Sequence, residues 1–366
     1  MSRSRVASLL IVALTGAVAG FVPATAEATP TCLTGRLEYS HYDAEAGTRK
    51  PLVTQAARNA NWELWGKVTA GSAATRLSSG ITAVGDGAFS ACHQGRVAEV
   101  YVKFLSASTT MWRVIKSEGT QAQYSFESAH KTGSQSLGTV RVPASMQRAW
   151  TIVDTLNALY WKRNNPSSAC WTKHQETGAC DTLTFVWEQN RTDSGYWDYP
   201  DTNYVILGQN EPDSKHTILH EAGHWLQWQL YDHAFPRVSG CNPHYIEQAS
   251  STSCAWTEGF ADAVAAYTLG DYRYVDDSGA STSLRNDPDT ADWDAGDKVQ
   301  GRVGSSLLDL WAPDGPDGGN WDRTIELMSD EFSQNFREYF VSDRPAGGLS
   351  TTGPARTILG SHTITY

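Results

Sequence analysis

Three side chains within five residues have the types and spacing to do chemistry: His220, Glu221 and His224, in the run Ile218-Leu-His-Glu-Ala-Gly-His-Trp-Leu226. Residues i and i+4 of an α-helix share a face. His220 and His224 on one helix would therefore offer two imidazole nitrogens to a single ion about 2.0 to 2.1 Å away. Glu221, beside them, would reach a water held at that ion. Two surface histidines with a solvated glutamate is the plainer alternative. Ile218, Leu219, Ala222, Trp225 and Leu226 argue against it, because they make the helix half-buried, where unpartnered histidines are costly.

Catalytic zinc takes three protein ligands and leaves a fourth position for water, so a third ligand is required. The segment Trp256-Thr-Glu258-Gly-Phe-Ala-Asp262 offers it. Glu258 and Asp262 are four apart, again one face of a helix, with apolar Phe260, Ala261 and Val264 around them. Glu258 is expected to complete the site, and Asp262 to accept a hydrogen bond from the far nitrogen of a ligand histidine, fixing its tautomer. A metzincin continuation needs Gly at 227 and His at 230; Gln227 and Leu230 exclude it.

Asp213 or Ser214 is expected to cap the first of these helices, and Met146 to Trp161 shows apolar residues at helical spacing. His216, one turn before His220, reads as a capping or solvent-facing residue. Between Gly35 and about Val142 the pattern is different, with short alternating runs such as Val100, Val102 and Phe104, and Trp112 with Val114 about Arg113. The expected architecture is therefore multidomain: a signal peptide at 1–28, an all-β sandwich at 29–142, and an α+β catalytic domain at 143–366. No site constellation falls in the sandwich, which reads as a folding or spacer module. In the second domain Leu183 to Trp187 and Tyr204 to Leu207 read as strands.

Arg3 and Arg5, then an apolar stretch to Val22 and small residues at Ala24, Ala26 and Ala28, have the form of a cleaved export signal, so secretion without a stable membrane anchor is expected. A net charge of -11 excludes a role built on binding nucleic acid. The six cysteines, all beyond the signal, suit disulfides in an exported chain. Sequence proximity pairs Cys170 with Cys180 and Cys241 with Cys254, leaving Cys32 with Cys92. The Asp- and Gly-rich stretches 286–299 and 313–322 read as loops, where Ca2+ lacks the support of any EF-hand spacing.

The pattern His-Glu-x-x-His followed by Glu-x-x-x-Asp resembles the thermolysin-like gluzincins, and is most similar to secreted actinobacterial metallopeptidases built as a sandwich plus a zincin-like domain. The segments Gly35 to Tyr39, Asn61 to Gly66 and Gly80 to Phe89 resemble transthyretin-like or carboxypeptidase-regulatory modules. The resemblance implies one zinc ion on His220, His224 and Glu258, Glu221 as general base and then acid, Asp262 as partner of His220, and an extended peptide or protein as substrate of a monomeric endopeptidase. It also implies that Gly195 to Asp198 and Tyr204 to Gly208 form the sheet edge that aligns the peptide. Thr257 replaces the Asn that supports the second histidine in thermolysin, and the family's transition-state histidine has no counterpart, leaving Arg302 or Tyr245 to stabilise the oxyanion. A secreted metal-binding protein with little turnover, or a zinc hydrolase acting on a non-protein amide, are the alternatives.

Overall fold

The computed structural model describes residues 29–163, 169–175, 178–192 and 195–366; the expected signal peptide lies outside them. The N-terminal part is rich in strands: β1 (Thr31–Tyr42), β2 (Leu52–Ala56), β3 (Asn61–Lys67), β4 (Thr75–Ile81), β5 (Ala88–His93), β6 (Glu99–Leu105), β7 (Ala107–Ser108), β8 (Trp112–Ile115), β9 (Ser125–Glu127) and β10 (Gln135–Arg141). β1 is long enough to take two antiparallel partners in turn, β5 along its first half and β2 along its second, with β10 parallel on the other side. A second sheet runs β4-β3-β6-β9. Strict alternation along β3, with Trp62, Leu64 and Gly66 inward, places one apolar face toward the first sheet, and Phe89 meets Phe104 edge to face at 5.2 Å across the gap. Cys32 and Cys92 face each other in the β1/β5 register and are joined by a disulfide.

Beyond Pro143 the pattern turns to helices: α1 (Gln147–Lys162), α2 (Lys215–Leu230), α3 (Thr252–Leu269) and α4 (Gln300–Leu310). Between α1 and α2 lie β11 (Leu183–Glu188), β12 (Tyr196–Trp197) and β13 (Val205–Gly208), and a hairpin of β14 (Arg273–Val275) with β15 (Ser281–Ser283) follows α3. The fold is thus mixed α/β with several sheets and a strand-rich N-terminal region.

The sheet beneath α2 has the order β12-β13-β11-β8-β7. Its strand β8 is Trp112–Ile115, which sequence alternation assigned to the N-terminal sheets. The correction has a physical cause. Trp112, Val114 and Ile115 are all buried, and the Trp112 indole donates to the Val153 carbonyl of α1 at 3.0 Å, so this strand finds its apolar partners on the helical side. Alternation fixes a strand's faces but does not say which sheet it joins.

The N-terminal region also grips α2 directly. Ser214 caps the helix, its hydroxyl accepting from the Thr217 N–H at 2.9 Å. Two further free N–H groups, of Lys215 and His216, donate to the Glu45 carboxylate at 2.6 and 3.1 Å. A carboxylate at a helix N-terminus satisfies orphan donors and meets the positive end of the dipole. Asp213, buried at the same end, is held by Arg148 at 2.8 Å and Lys50 at 3.3 Å. One continuous core runs from Leu33 in β1 through α1, α2 and α3 to Ile364.

Candidate metal centre

α2 and α3 approach so closely that a side chain at Gly223 would lie 2.9 Å from the Ala261 Cα, and α3 lies so close to α4 that one at Gly259 would meet the Gln300 carbonyl at 2.6 Å. Only glycine fits either position without moving backbone. The first contact brings Glu258 across to the histidines, and the second seats α3 on α4. Its Oε2 lies 3.1 Å from His220 Nε2 and 3.4 Å from His224 Nε2. Tetrahedral bonds of 2.0 to 2.1 Å separate ligand atoms by about 3.3 Å, so the trio has the spacing of a zinc ligand set. All three side chains are nearly buried, and their ligand atoms lie within 4.8 Å of one another.

His220 is held from behind. Its Nδ1–H donates to Asp262 Oδ1 at 2.8 Å, which turns Nε2 toward the site. Burial works against its charged form, yet the carboxylates of Asp262 and Glu258 outweigh burial and hold its pKa well above the ordinary value. Glu258 shows the converse: burial pushes its carboxyl up, but His224 and His220 bring it well below the carboxylate range. His224 differs from His220. Its buried Nδ1 has no hydrogen-bond partner among the described residues, and the Thr257 hydroxyl is bonded to the Ser253 and Cys254 carbonyls, each at 3.2 Å.

Glu221 is buried beside the trio, and its pKa is raised, chiefly by burial, against the pull of His220 and His224. It lines a cleft of about 880 Å³ together with His220, His224, Glu258, Tyr196, Trp197, Phe235, Arg237 and His244. β12 forms the edge of the five-stranded sheet at this cleft, paired antiparallel to β13 through Tyr196 with Ile206 and Trp197 with Val205. An adjoining cavity of about 400 Å³ shares His220, His244 and Tyr274 with the first.

The two candidates for oxyanion stabilisation separate. Tyr245 lines the adjoining cavity and is half exposed. Arg302 lines neither cavity. Its guanidinium is buried and committed to the Asp294 carbonyl at 3.1 Å, Asn286 Oδ1 at 2.9 Å and the Asp287 carbonyl at 2.6 Å, so it is a structural group of the 286–294 loop. His216, expected at a cap or in solvent, is wholly buried, with Nδ1 3.3 Å from Glu45 Oε1 and Nε2 3.3 Å from the Asp271 carbonyl.

Sequence reasoning missed His244 and Gln300. His244 Nδ1 lies 2.7 Å from Gln300 Oε1, and Gln300 Nε2 donates to Asp262 Oδ2 at 3.1 Å. A carboxylate can only accept, so Gln300 presents its carbonyl to His244, whose Nδ1 therefore carries a proton. His244 Nε2 then faces the site, 3.9 Å from Glu258 Oε2. His244 lies outside any regular motif, three residues after Cys241, and only the lone histidine near the disulfide hinted at it. The disulfides Cys170–Cys180 and Cys241–Cys254 complete the set, and the second sets Cys241 Sγ 3.7 Å from Glu258 Oε1.

Compared with known families, residues 32–149 match the mycolysin middle domain and residues 163–363 the mycolysin C-terminal domain. No curated protein matches the chain. Among solved structures the chain is similar to a 9R-lipoxygenase from Cyanothece PCC8801, at 14% identity over 38% of this chain and 25% of that one. The TM-score of 0.19 means that likeness carries no argument about fold or function. No helix among the described residues is long and apolar enough to cross a membrane.

Proposed function

Because the chain belongs to the mycolysin family of secreted, peptidase-related proteins, we propose that it is a zinc-dependent endopeptidase whose ligands are His220, His224 and Glu258. The observation that carries this is the single Glu258 oxygen standing 3.1 and 3.4 Å from two imidazole nitrogens, in a donor set of two histidines and one carboxylate. When bound there, zinc supplies a Lewis acid that polarises a carbonyl and lowers the pKa of water to about 7.

The protein's own residues supply the rest. Glu221, with a pKa raised chiefly by burial, takes the proton of the attacking water and returns it to the leaving amine. Asp262 keeps His220 in the tautomer with its proton on Nδ1. His244, held by Gln300, takes the oxyanion role that Arg302 is too committed to fill, and does so as the imidazolium, whose Nε2–H is the donor while Nδ1–H stays on Gln300. β12 offers its unpaired edge to an extended peptide, in the mode of strand addition. In this proposal the two four-stranded sheets are the sandwich of a domain at 29–142, the zincin-like unit is 143–366, residues 1–28 are its export signal, and the protein is monomeric.

Metal analysis combined with cleavage of unfolded casein tests the proposal. The expected result is about one zinc per chain, with cleavage abolished by a chelator and restored by zinc. Cleavage untouched by complete metal removal would overturn it.

A further inference from the structure

The cleft carries one permanent cation that nothing in the mechanism uses. Arg237 lines it beside Phe235 and Val238, on the segment between α2 and the Cys241–Cys254 disulfide. Its backbone is fixed: the N–H donates to Gln334 Oε1 and the carbonyl accepts from Gln334 Nε2, both at 3.1 Å. Its guanidinium has no hydrogen bond or ion pair among the described residues.

Acidic residues outnumber lysine and arginine by 40 to 29, and eight of the eighteen described arginines lie on a carboxylate, among them Arg58 on Asp154, Arg148 on Asp213, Arg273 on Asp271 and Arg344 on Asp317; Arg237 lines the cleft without one. Phe235 stands against the metal side, its ring 6.4 Å from that of His224 and 4.9 Å from that of Trp197. Arg237, the next residue but one, therefore sits at the rim of that aromatic wall. The adjoining cavity has the opposite character, lined by Glu247 and Asp276 with no lysine or arginine. A guanidinium with a fixed backbone and a free fork suits a planar carboxylate in two parallel hydrogen bonds.

We propose that Arg237 is a carboxylate-recognising subsite, so that preferred substrates carry a carboxylate on the side of the scissile bond that lies against Phe235 and Val238. The carboxylate is either an acidic side chain or the free C-terminus of the peptide. This rests on the hydrolase reading above and adds the substrate class to it.

The test uses the full chain loaded with zinc and four kinds of fluorogenic peptide of one parent sequence: neutral with an amidated end, neutral with a free C-terminal carboxylate, and amidated with either Glu or Lys scanned across the positions flanking the bond. The wild type is expected to favour one carboxylate peptide over the neutral one by roughly tenfold in kcat/KM, mostly through KM, and the preference should shrink as salt rises. The Glu and free-carboxylate arms tell an acidic side chain from a chain terminus. Arg237→Gln should level the ratio, and Arg237→Glu should reverse it toward the Lys peptide; Arg237 is exposed, so these variants are expected to fold. Equal cleavage of all four by the wild type, or an unchanged ratio in Arg237→Gln, overturns the subsite alone. Failure to cleave any peptide, casein included, overturns the hydrolase reading and the subsite with it.

Discussion

The surroundings of His220 and of His224, one helical turn apart, are built differently although both histidines face the same carboxylate. His220 is braced by Asp262, which is itself tied through Gln300 to His244, and the helix turn before it is capped from the N-terminal region by Glu45. His224 has an orphan Nδ1 and, beside it, an aromatic wall begun by Phe235 and continued by Trp197. One ligand is thus positioned by hydrogen bonds and the other mainly by packing and by its place on the helix. Metal affinity should accordingly depend unequally on what stands behind the two rings.

Asp262→Asn gives the largest expected effect on metal affinity among changes that leave the ligands in place. It should weaken zinc about 10 to 100 fold, as when a partner stops orienting its histidine. The complementary change, Thr257→Asn, restores the residue type that the thermolysin resemblance puts behind the second histidine. Competition titration against a chromophoric chelator should show affinity unchanged or tighter. A loss in Thr257→Asn equal to that in Asp262→Asn would erase the contrast.

Next in size is Glu45→Ala. It frees two helix N–H groups and strips the buried His216 of its partner, and should cost about 2 kcal/mol of stability in denaturant unfolding. A change within about 0.5 kcal/mol would mean that the N-terminal region does not brace the His220 half.

The smallest effect is a pH dependence in the wall on the His224 side. Glu211 accepts the backbone N–H groups of Gly195 and Gly208, anchoring the entry to β12, and its pKa is raised from 4.5 to about 7, chiefly by burial. A carboxyl whose folded pKa is raised contributes stability that is complete below pH 4.5 and lost as pH rises through about 7. Thermal midpoints should fall between pH 5 and 8, and less so in Glu211→Gln. Parallel profiles for the two proteins would remove Glu211 as the cause.

What could be read in the sequence follows the same division between local and distant geometry. The i, i+4 relation of His220 to His224 and of Glu258 to Asp262 is written in the helical period, and Ser214 announces itself as a cap by its place before the first apolar turn. The close crossings at Gly223 and Gly259 are carried by single glycines that mean nothing until the partner helix is known. His244 reaches the site from a loop, β8 joins a sheet whose next strand lies 68 residues further on, and Glu45 caps a helix 170 residues away. No local period encodes such contacts. Arg302 misled for the same reason: its place on a helix near the site did not reveal the Asp294, Asn286 and Asp287 groups that claim it.

The central claim, that Glu221 handles the proton of a water activated between His220, His224 and Glu258, is tested most directly by Glu221→Gln, measuring zinc content and hydrolysis on one preparation. Glu221 is not among the three groups expected to hold the metal, and glutamine preserves its shape while removing its basicity. The expected result is zinc occupancy equal to that of the wild type, with hydrolysis lower by several orders of magnitude, about 10³-fold or more. Near wild-type turnover at full zinc occupancy would contradict it.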